Sequence, residues 1–424
     1  MEACSKDMKN FEARDPNEVL THLRFDVVMK YLYASNLSSN FYQSMYIEHM
    51  QRWNRFSQGK PPIKHGFKEF DHAFRSIIDN TVDEPVPVNN EGHIANGAHR
   101  LAAALYRQRP INVRSTNIAE NYPIYANYEY FIKKGMPKYM LGRTALEYAR
   151  LKSNTHMICL FPIAHTRVDE VMAIIDEYSN IFYRSSEVLN YEGQLALMKE
   201  IYFVEGWANE EGIRRKGNQC FRGETDATFI LVDAENLETV KEMKAKIREL
   251  FNVGNHSVHI SDYHEDAIRI AKTVFNKNSI HFLNTRKNVS FENYTKLMAD
   301  MKPDDNTVIT GSSVLSLYGL RDCKDIDLIY YNDPPADSHN QYLETHYKLT
   351  LDDIVNNPLY HFYYQGFKYV TLDVIKNMKM IRYEPKDLKD IQLIKEIKPA
   401  EPDDTHLMGR LGFYKDHRRI KKLK

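Results

Sequence analysis

The chain has 424 residues, 43% of them apolar, and its 57 Lys and Arg are matched by 57 Asp and Glu. That length sets the scale at about two to four domains, and the apolar share, with 28 Tyr and 20 Phe, is enough to fill their cores and excludes general disorder. A formal net charge of zero removes the global field that draws a protein to nucleic acid or an anionic membrane, while leaving room for a local basic patch.

Residues 1–7 lack a basic and apolar leader pattern, and no apolar run reaches the about 18 residues of a membrane span, so a cytoplasmic protein without a membrane span is expected. Cys4, Cys159, Cys220 and Cys323 lie far apart with no Cys-x-x-Cys pair, which argues against a disulfide framework or a zinc ribbon.

The first forty residues show no clear period. Residues 41–56, with Trp53 among them, carry aromatic and apolar residues at helical spacing, and a helix packed on the following domain is expected. Phe67, Phe70, Phe74, Ile77 and Ile78 then fall on one helical stripe. Residues 85–88 read as a strand, 89–92 as a turn and 94–95 as a short strand, before Asn96-Gly97-Ala98-His99-Arg100 opens an Ala-rich helix. Gly97 lets backbone come close to a ligand, and a helix start offers N–H donors. Arg100 can fork onto a phosphate, and His99 can donate, accept or exchange a proton. The structural alternative is a strand–turn–helix in which Arg100 caps a neighbouring carbonyl.

Over residues 65–115 this run resembles the ParB/sulfiredoxin-like fold, whose signature is a strand, a turn and Asp/Asn-Gly-x-His-Arg opening a helix. The resemblance implies a nucleotide-binding corner, with Asn96, Gly97, His99 and Arg100 against the phosphates, and leaves both binding and catalysis open. Residues 116–150 are Tyr-rich (Tyr122, Tyr125, Tyr128, Tyr130, Tyr139, Tyr148) and carry no clustered Lys or Arg, so packing is expected of them rather than nucleic-acid stacking.

From 154 to 286, strands are expected at 156–162, 181–183, 228–232, 256–260 and 279–283. Helices are expected at 167–178, 193–205, 236–251 and 265–275, which together make an α/β or α+β sandwich. The run from Lys246 through Ile247-Arg248-Glu249-Leu250-Phe251 to Val258-His259-Ile260-Ser261-Asp262 and Glu265-Asp266-Ala267 is similar to the nucleoside diphosphate kinase signature. That resemblance implies a ferredoxin-like fold in which His259 is the nucleophile and Arg248 contacts phosphate. It also implies that Ser261, Asp262 and Glu265 form the turn that orients the histidine. A neutral imidazole nitrogen attacks phosphorus, and a nearby carboxylate fixes the tautomer. Two positions depart from the family: its Lys-Pro-Asp reads Phe161-Pro162-Ile163, and the asparagine before the histidine reads His256. The spacing of His256, His259 and His264 does not fit a zinc pattern.

The last third begins with an expected helix at 289–301 and a turn at 302–306. Val308-Ile309-Thr310 is β-prone and breaks at Gly311-Ser312, and Val314, Leu315 and Leu317 follow at helical spacing. In Asp325-Ile326-Asp327-Leu328-Ile329 acidic and apolar residues alternate, so one strand would present both aspartates on one face. Two carboxylates that close repel each other and are tolerable beside a divalent cation. The alternative is a strand–turn–helix with two surface aspartates.

Gly311-Ser312, twelve intervening residues and Asp-x-Asp resemble the nucleotidyltransferase superfamily. The resemblance implies that Gly311 and Ser312 seat a triphosphate and that Asp325 and Asp327 hold Mg²⁺ or Mn²⁺. It also implies a third carboxylate on a neighbouring strand, for which Asp373, at the end of an expected strand over 366–374, is the candidate. Asp387 and Asp390, in an expected helix, read as structural partners of Lys or Arg. Residues 342–354 fit either strand or helix, and the basic tail 415–424 reads as a solvated end.

Three units are therefore expected in a multidomain α/β and α+β protein. They are a ParB/sulfiredoxin-like unit at 1–150, a nucleoside diphosphate kinase-like unit at 151–286, and a nucleotidyltransferase-like mixed sheet at 287–424. The expected activity is Mg-dependent transfer of a phosphoryl or nucleotidyl group from an NTP to a small-molecule or sugar acceptor. The rival is a non-catalytic nucleotide-gated regulator or scaffold. Nucleic-acid modification is disfavoured by the balanced charge.

Overall fold

Three separate sheets organise the residues that the computed structural model describes, which are 11–54, 67–80, 84–116, 126–203 and 205–399. Phe56, Tyr122, Tyr125, the tail at 415–424 and the side chains of Trp53, Phe67 and Phe70 lie outside that description. The architecture is mixed α/β throughout.

The first sheet has the order β1-β3-β2, from β1 (Glu12–Arg14), β2 (Val86–Val88) and β3 (Ile111–Ser115). β3 runs antiparallel to β1 and parallel to β2. The helix Ala98–Arg107 buries Leu101, Ala102, Ala103 and Leu105. Its small alanines admit the helix Phe25–Ser35, which is buried along most of its length.

The second sheet joins β4 (Thr155–Leu160), β5 (Asn180–Val188), β6 (Asp226–Asp233) and β7 (Val258–Ile260) in the order β5-β6-β4-β7, with every neighbour antiparallel. Both faces are covered, and the period-2 alternation of a strand decides which residue goes where. Ile158, Leu160, Ile230 and Val232 face the helices Val168–Tyr178 and Leu237–Glu249. Met157, Cys159, Phe229 and Leu231 face the rest of the molecule. The helices Tyr191–Ile201 and Glu210–Phe221 are inserted between β5 and β6.

The expected fifth strand at 279–283 is instead the helix Lys277–Thr285. Asn276 caps it by accepting from the Ser279 N–H at 3.0 Å, and Ile280 and Leu283 point inward three residues apart.

The third sheet has the order β10-β11-β8-β9, from β8 (Thr307–Thr310), β9 (Asp327–Tyr330), β10 (His361–Tyr364) and β11 (Phe367–Val370). β8 and β11 are parallel at its centre, and the outer pairs are antiparallel. Gln365 and Gly366 close the β10–β11 hairpin at φ 51° and 79°, the positive pair that a two-residue primed turn demands. Residues 342–354 resolve into a π turn, Leu343–Tyr347, and the start of the helix Leu351–Asn356, which opens with a Thr350/Asp353 capping box. The expected strand over 366–374 stops at Val370. Thr371 then accepts from the Val374 N–H and starts the helix Leu372–Arg382.

One apolar core runs through parts of all three sheets, and a smaller one lies under the outer face of the second. Phe182 is a junction: its ring stacks on Phe25 at 4.7 Å and on Tyr148 at 3.6 Å. Among the described residues no helix is long and apolar enough to cross a membrane.

Candidate functional site

β8 and β9 pair so that Thr310 stands opposite Asp327. Gly311 then turns at φ 66°, where a Cβ would sit 1.9 Å from Asp327 Oδ2. Glycine is thus required twice over, by the backbone angle and by the carboxylate laid against it. Asp325 is exposed in the bend before β9, so the two aspartates do not share a strand as expected. They still line one cavity of about 1060 Å³ together with Gly311 and Ser312. The helix that follows, Ser312–Leu317, is only six residues long, so its dipole adds little, and what the segment offers a ligand is the open turn itself.

Asp373 is not part of this wall. It lies exposed in the first turn of Leu372–Arg382 because Thr371 ends the strand as an N-cap. The expected triad of Asp325, Asp327 and Asp373 is therefore not assembled, and no group of three or more His, Cys, Asp or Glu side chains converges among the described residues. Two hard carboxylates still suit Mg²⁺, which usually binds one or two protein carboxylates and completes its shell with water and substrate phosphate. Asp325 has no side-chain partner among the described residues.

His339, which the sequence reading missed, organises the other carboxylate. Its Nε2 lies 3.1 Å from Asp327 Oδ1 and its Nδ1 lies 2.9 Å from the Tyr347 hydroxyl, which is 2.7 Å from Thr310 Oγ1. Burial pushes the Tyr347 phenol up, so it stays protonated. The arrangement that satisfies every group has Thr310 donating to Tyr347, Tyr347 to His339 Nδ1, and His339 Nε2–H to Asp327.

Helices Leu372–Arg382 and Pro385–Lys395 form the opposite wall. Asp387 and Asp390 are buried behind it. Lys379 Nζ reaches both, at 3.2 and 2.7 Å, Arg382 Nη2 donates to Asp387 at 2.6 Å, and Arg321 grips Asp390 through two nitrogens. Burial alone would raise the Asp387 carboxyl, but hydrogen bonds from Arg382 and the Glu384 N–H, with the Lys379 charge, hold it at about 2. With those cations neutralised, Lys324 and Lys389 face the cavity without an ion-pair partner among the described residues.

The N-terminal corner is built differently from the expectation. Gly97, at φ 91°, is pressed against β2, where a Cβ would meet Val86 Cγ2 at 2.9 Å. His99 turns inward, with its ring 4.7 Å from Phe74 and its Nε2 2.9 Å from the Tyr46 hydroxyl. Burial, with the Lys30 charge, pushes it down to about 3, so it is neutral near pH 7. Arg100 donates to the carbonyls of Glu84 and Pro85 at 2.7 and 3.3 Å, which is the capping alternative. Asn96 is exposed and its Oδ1 accepts from the Gly97 N–H.

In the middle segment His259 stands on β7 opposite Cys159, with its ring edge-on to Tyr202 at 5.1 Å. Asp262 does not orient it, because Lys244 takes that carboxylate at 2.8 Å. The His259 imidazole has no hydrogen-bond partner among the described residues. Burial first, then the charges of Lys244, Lys216 and Arg248, push it down to about 3. Arg248 has a buried Nε without a partner, and Lys216 donates to the Asn255 carbonyl at 2.7 Å. Neither has an ion-pair partner among the described residues, although the Asp262 charge reaches Arg248 at longer range, so a neutral imidazole sits beside two unpaired cations.

No protein-family model, no curated protein and no solved structure matches this chain.

Proposed function

We propose that the chain transfers a nucleotidyl or phosphoryl group from an NTP to a small-molecule or sugar hydroxyl in the C-terminal cavity, in a cytoplasmic setting. The observation that carries this reading is the packing of Gly311 against Asp327 at the mouth of a cavity that Asp325 also lines. The mixed sheet with a parallel centre supports a nucleotidyltransferase-like unit. Asp325 and Asp327 hold the divalent cation. Mg²⁺ bound there would offset the charge that develops on the transferring group. Gly311 lets the backbone approach the phosphates, and Lys324 and Lys389 meet their oxygens. His339 keeps Asp327 aimed into the cavity. The acceptor hydroxyl oxygen bonds to the α-phosphorus as the α–β bridging P–O bond breaks and pyrophosphate leaves, or to the γ-phosphorus as the β–γ bridging P–O bond breaks and the nucleoside diphosphate leaves, and the hydroxyl proton passes to solvent.

The antiparallel order β5-β6-β4-β7, with helices inserted after its second strand, supports a ferredoxin-like, nucleoside diphosphate kinase-like middle unit. The N-terminal corner is read as a ParB/sulfiredoxin-like unit. A second reading, a nucleotide-gated regulator or scaffold without turnover, is favoured by the inward turn of His99 and the engagement of Arg100 and Asp262. The test is incubation with each NTP and Mg²⁺, followed by assay of pyrophosphate, nucleoside diphosphate and labelled acceptor. Loss of product in Asp325→Asn and Asp327→Asn but not in Arg100→Ala supports transfer in the cavity. Nucleotide binding without any product supports the regulator.

A further inference from the structure

The cavity is large for one ligand, since pockets that hold a single small molecule span about 300–1,000 Å³, and its two walls differ in kind. The wall made by the last two helices is charged. The wall that leads away from Asp327 is aromatic. His339 touches Asp327, Tyr342 lies edge-on to His339 at 5.2 Å, and His346 lies edge-on to Tyr342 at 5.0 Å. All three line the cavity and are half-buried, so ring surface is left open to a ligand. The backbone that holds them is unusual: a 3₁₀ turn, His339–Tyr342, runs into the π turn Leu343–Tyr347 and ends at Lys348 in the left-handed region, φ 56°. A π turn spends backbone hydrogen-bond quality to re-aim side chains, and such turns concentrate at functional sites. Here it sets Tyr347 inward under His339 and leaves Tyr342 and His346 on the cavity side.

We infer that Tyr342 and His346 form a ledge for the nucleobase of the donor nucleotide, Tyr342 stacking on its face and His346 meeting its edge, one and two ring spacings beyond the His339–Asp327 contact. The inference rests on the nucleotide reading of this cavity. A base needs a flat, apolar and polarisable surface, and it reaches the ledge from phosphates held at Asp327 along a run of two ring spacings. The charged wall offers no such surface. Stacking accepts any base, because every base has a π-face. His346 Nδ1 is engaged by Thr345 Oγ1 at 2.9 Å, which leaves Nε2 to meet a base edge.

The test compares Mg²⁺-ATP with Mg²⁺-tripolyphosphate, which carries the phosphates and no base, by titration calorimetry on the full chain. The component lost in Asp325→Asn/Asp327→Asn defines binding in the cavity; if nothing is lost, the nucleotide reading itself fails and takes the ledge with it. On that component, Tyr342→Leu should weaken ATP by about 5- to 100-fold and leave tripolyphosphate unchanged. Tyr342→Phe should keep ATP affinity, and His346→Ala should weaken ATP alone. Equal weakening of both ligands, or no change in ATP, would overturn the ledge while leaving the phosphate site standing. So would tripolyphosphate binding as tightly as ATP.

Discussion

Gly311 carries more of the site than any other single residue. A methyl group there meets Asp327 Oδ2 and must also take φ 66°. Gly311→Ala should lower stability by about 1–3 kcal/mol in urea unfolding and abolish Mg-dependent nucleotide binding. Tyr347→Phe leaves His339 Nδ1 and Thr310 short of a partner, and should cost about 1–3 kcal/mol of stability. Lys368 gives a pH signature. Its Nζ is buried against the Val355 carbonyl, and burial pushes its pKa down from 10.5 to about 7. Between those values the unfolded chain binds a proton that the folded chain does not, so this residue makes stability rise as pH climbs from about 7 towards 10. Lys368→Met should remove that rise, seen as a smaller difference between denaturation midpoints at pH 7 and pH 10. The glycine and both aspartates were legible in the sequence because they belong to one short motif. His339 was not, since it sits in an aperiodic loop and meets Asp327 only through the fold. Arg100 was legible only as a pair of alternatives, and a neighbouring carbonyl took it.

At the scale of elements, caps decided what periodicity left open. An apolar run such as Ile280 to Leu283 fits a strand or a buried helix equally well, and Asn276 settles it by closing the first turn. Thr371 does the same after β11 and so moves Asp373 from a strand end to a helix start. Asp373→Asn should then leave NTP turnover unchanged and shift stability by less than about 1 kcal/mol, through the helix dipole alone. A large loss of turnover in that variant would return Asp373 to the metal site. The strand–turn–helix–strand order around Gly311 and Asp327 was legible because the spacing itself is the signal. The offset of Asp325 from the strand was not, because alternation alone cannot say where pairing begins.

At the scale of the molecule, three segments that each look like a separate domain in sequence share one core. Glu200 is fully buried where the middle segment meets the third sheet. It accepts from the Gln365 N–H at 2.6 Å and from Arg269 at 3.1 Å. Asn40 and Phe41 at the start of one helix likewise donate to Asp352. Such joints are invisible to periodicity, because each residue lies far in sequence from its partner. Phe182→Ala, at the meeting point of the stacked rings, should cost about 3–5 kcal/mol and lower the unfolding midpoint reported by probes in all three segments together.

Nucleotide chemistry at Asp325 and Asp327 has a direct readout. It is the release of pyrophosphate or nucleoside diphosphate from each NTP in the presence of Mg²⁺, compared between the native chain and Asp325→Asn/Asp327→Asn. Release by the native chain that falls at least about 100-fold in the double variant, with folding intact, is the expected result. Equal release from both would contradict this placement and move the chemistry to another part of the chain.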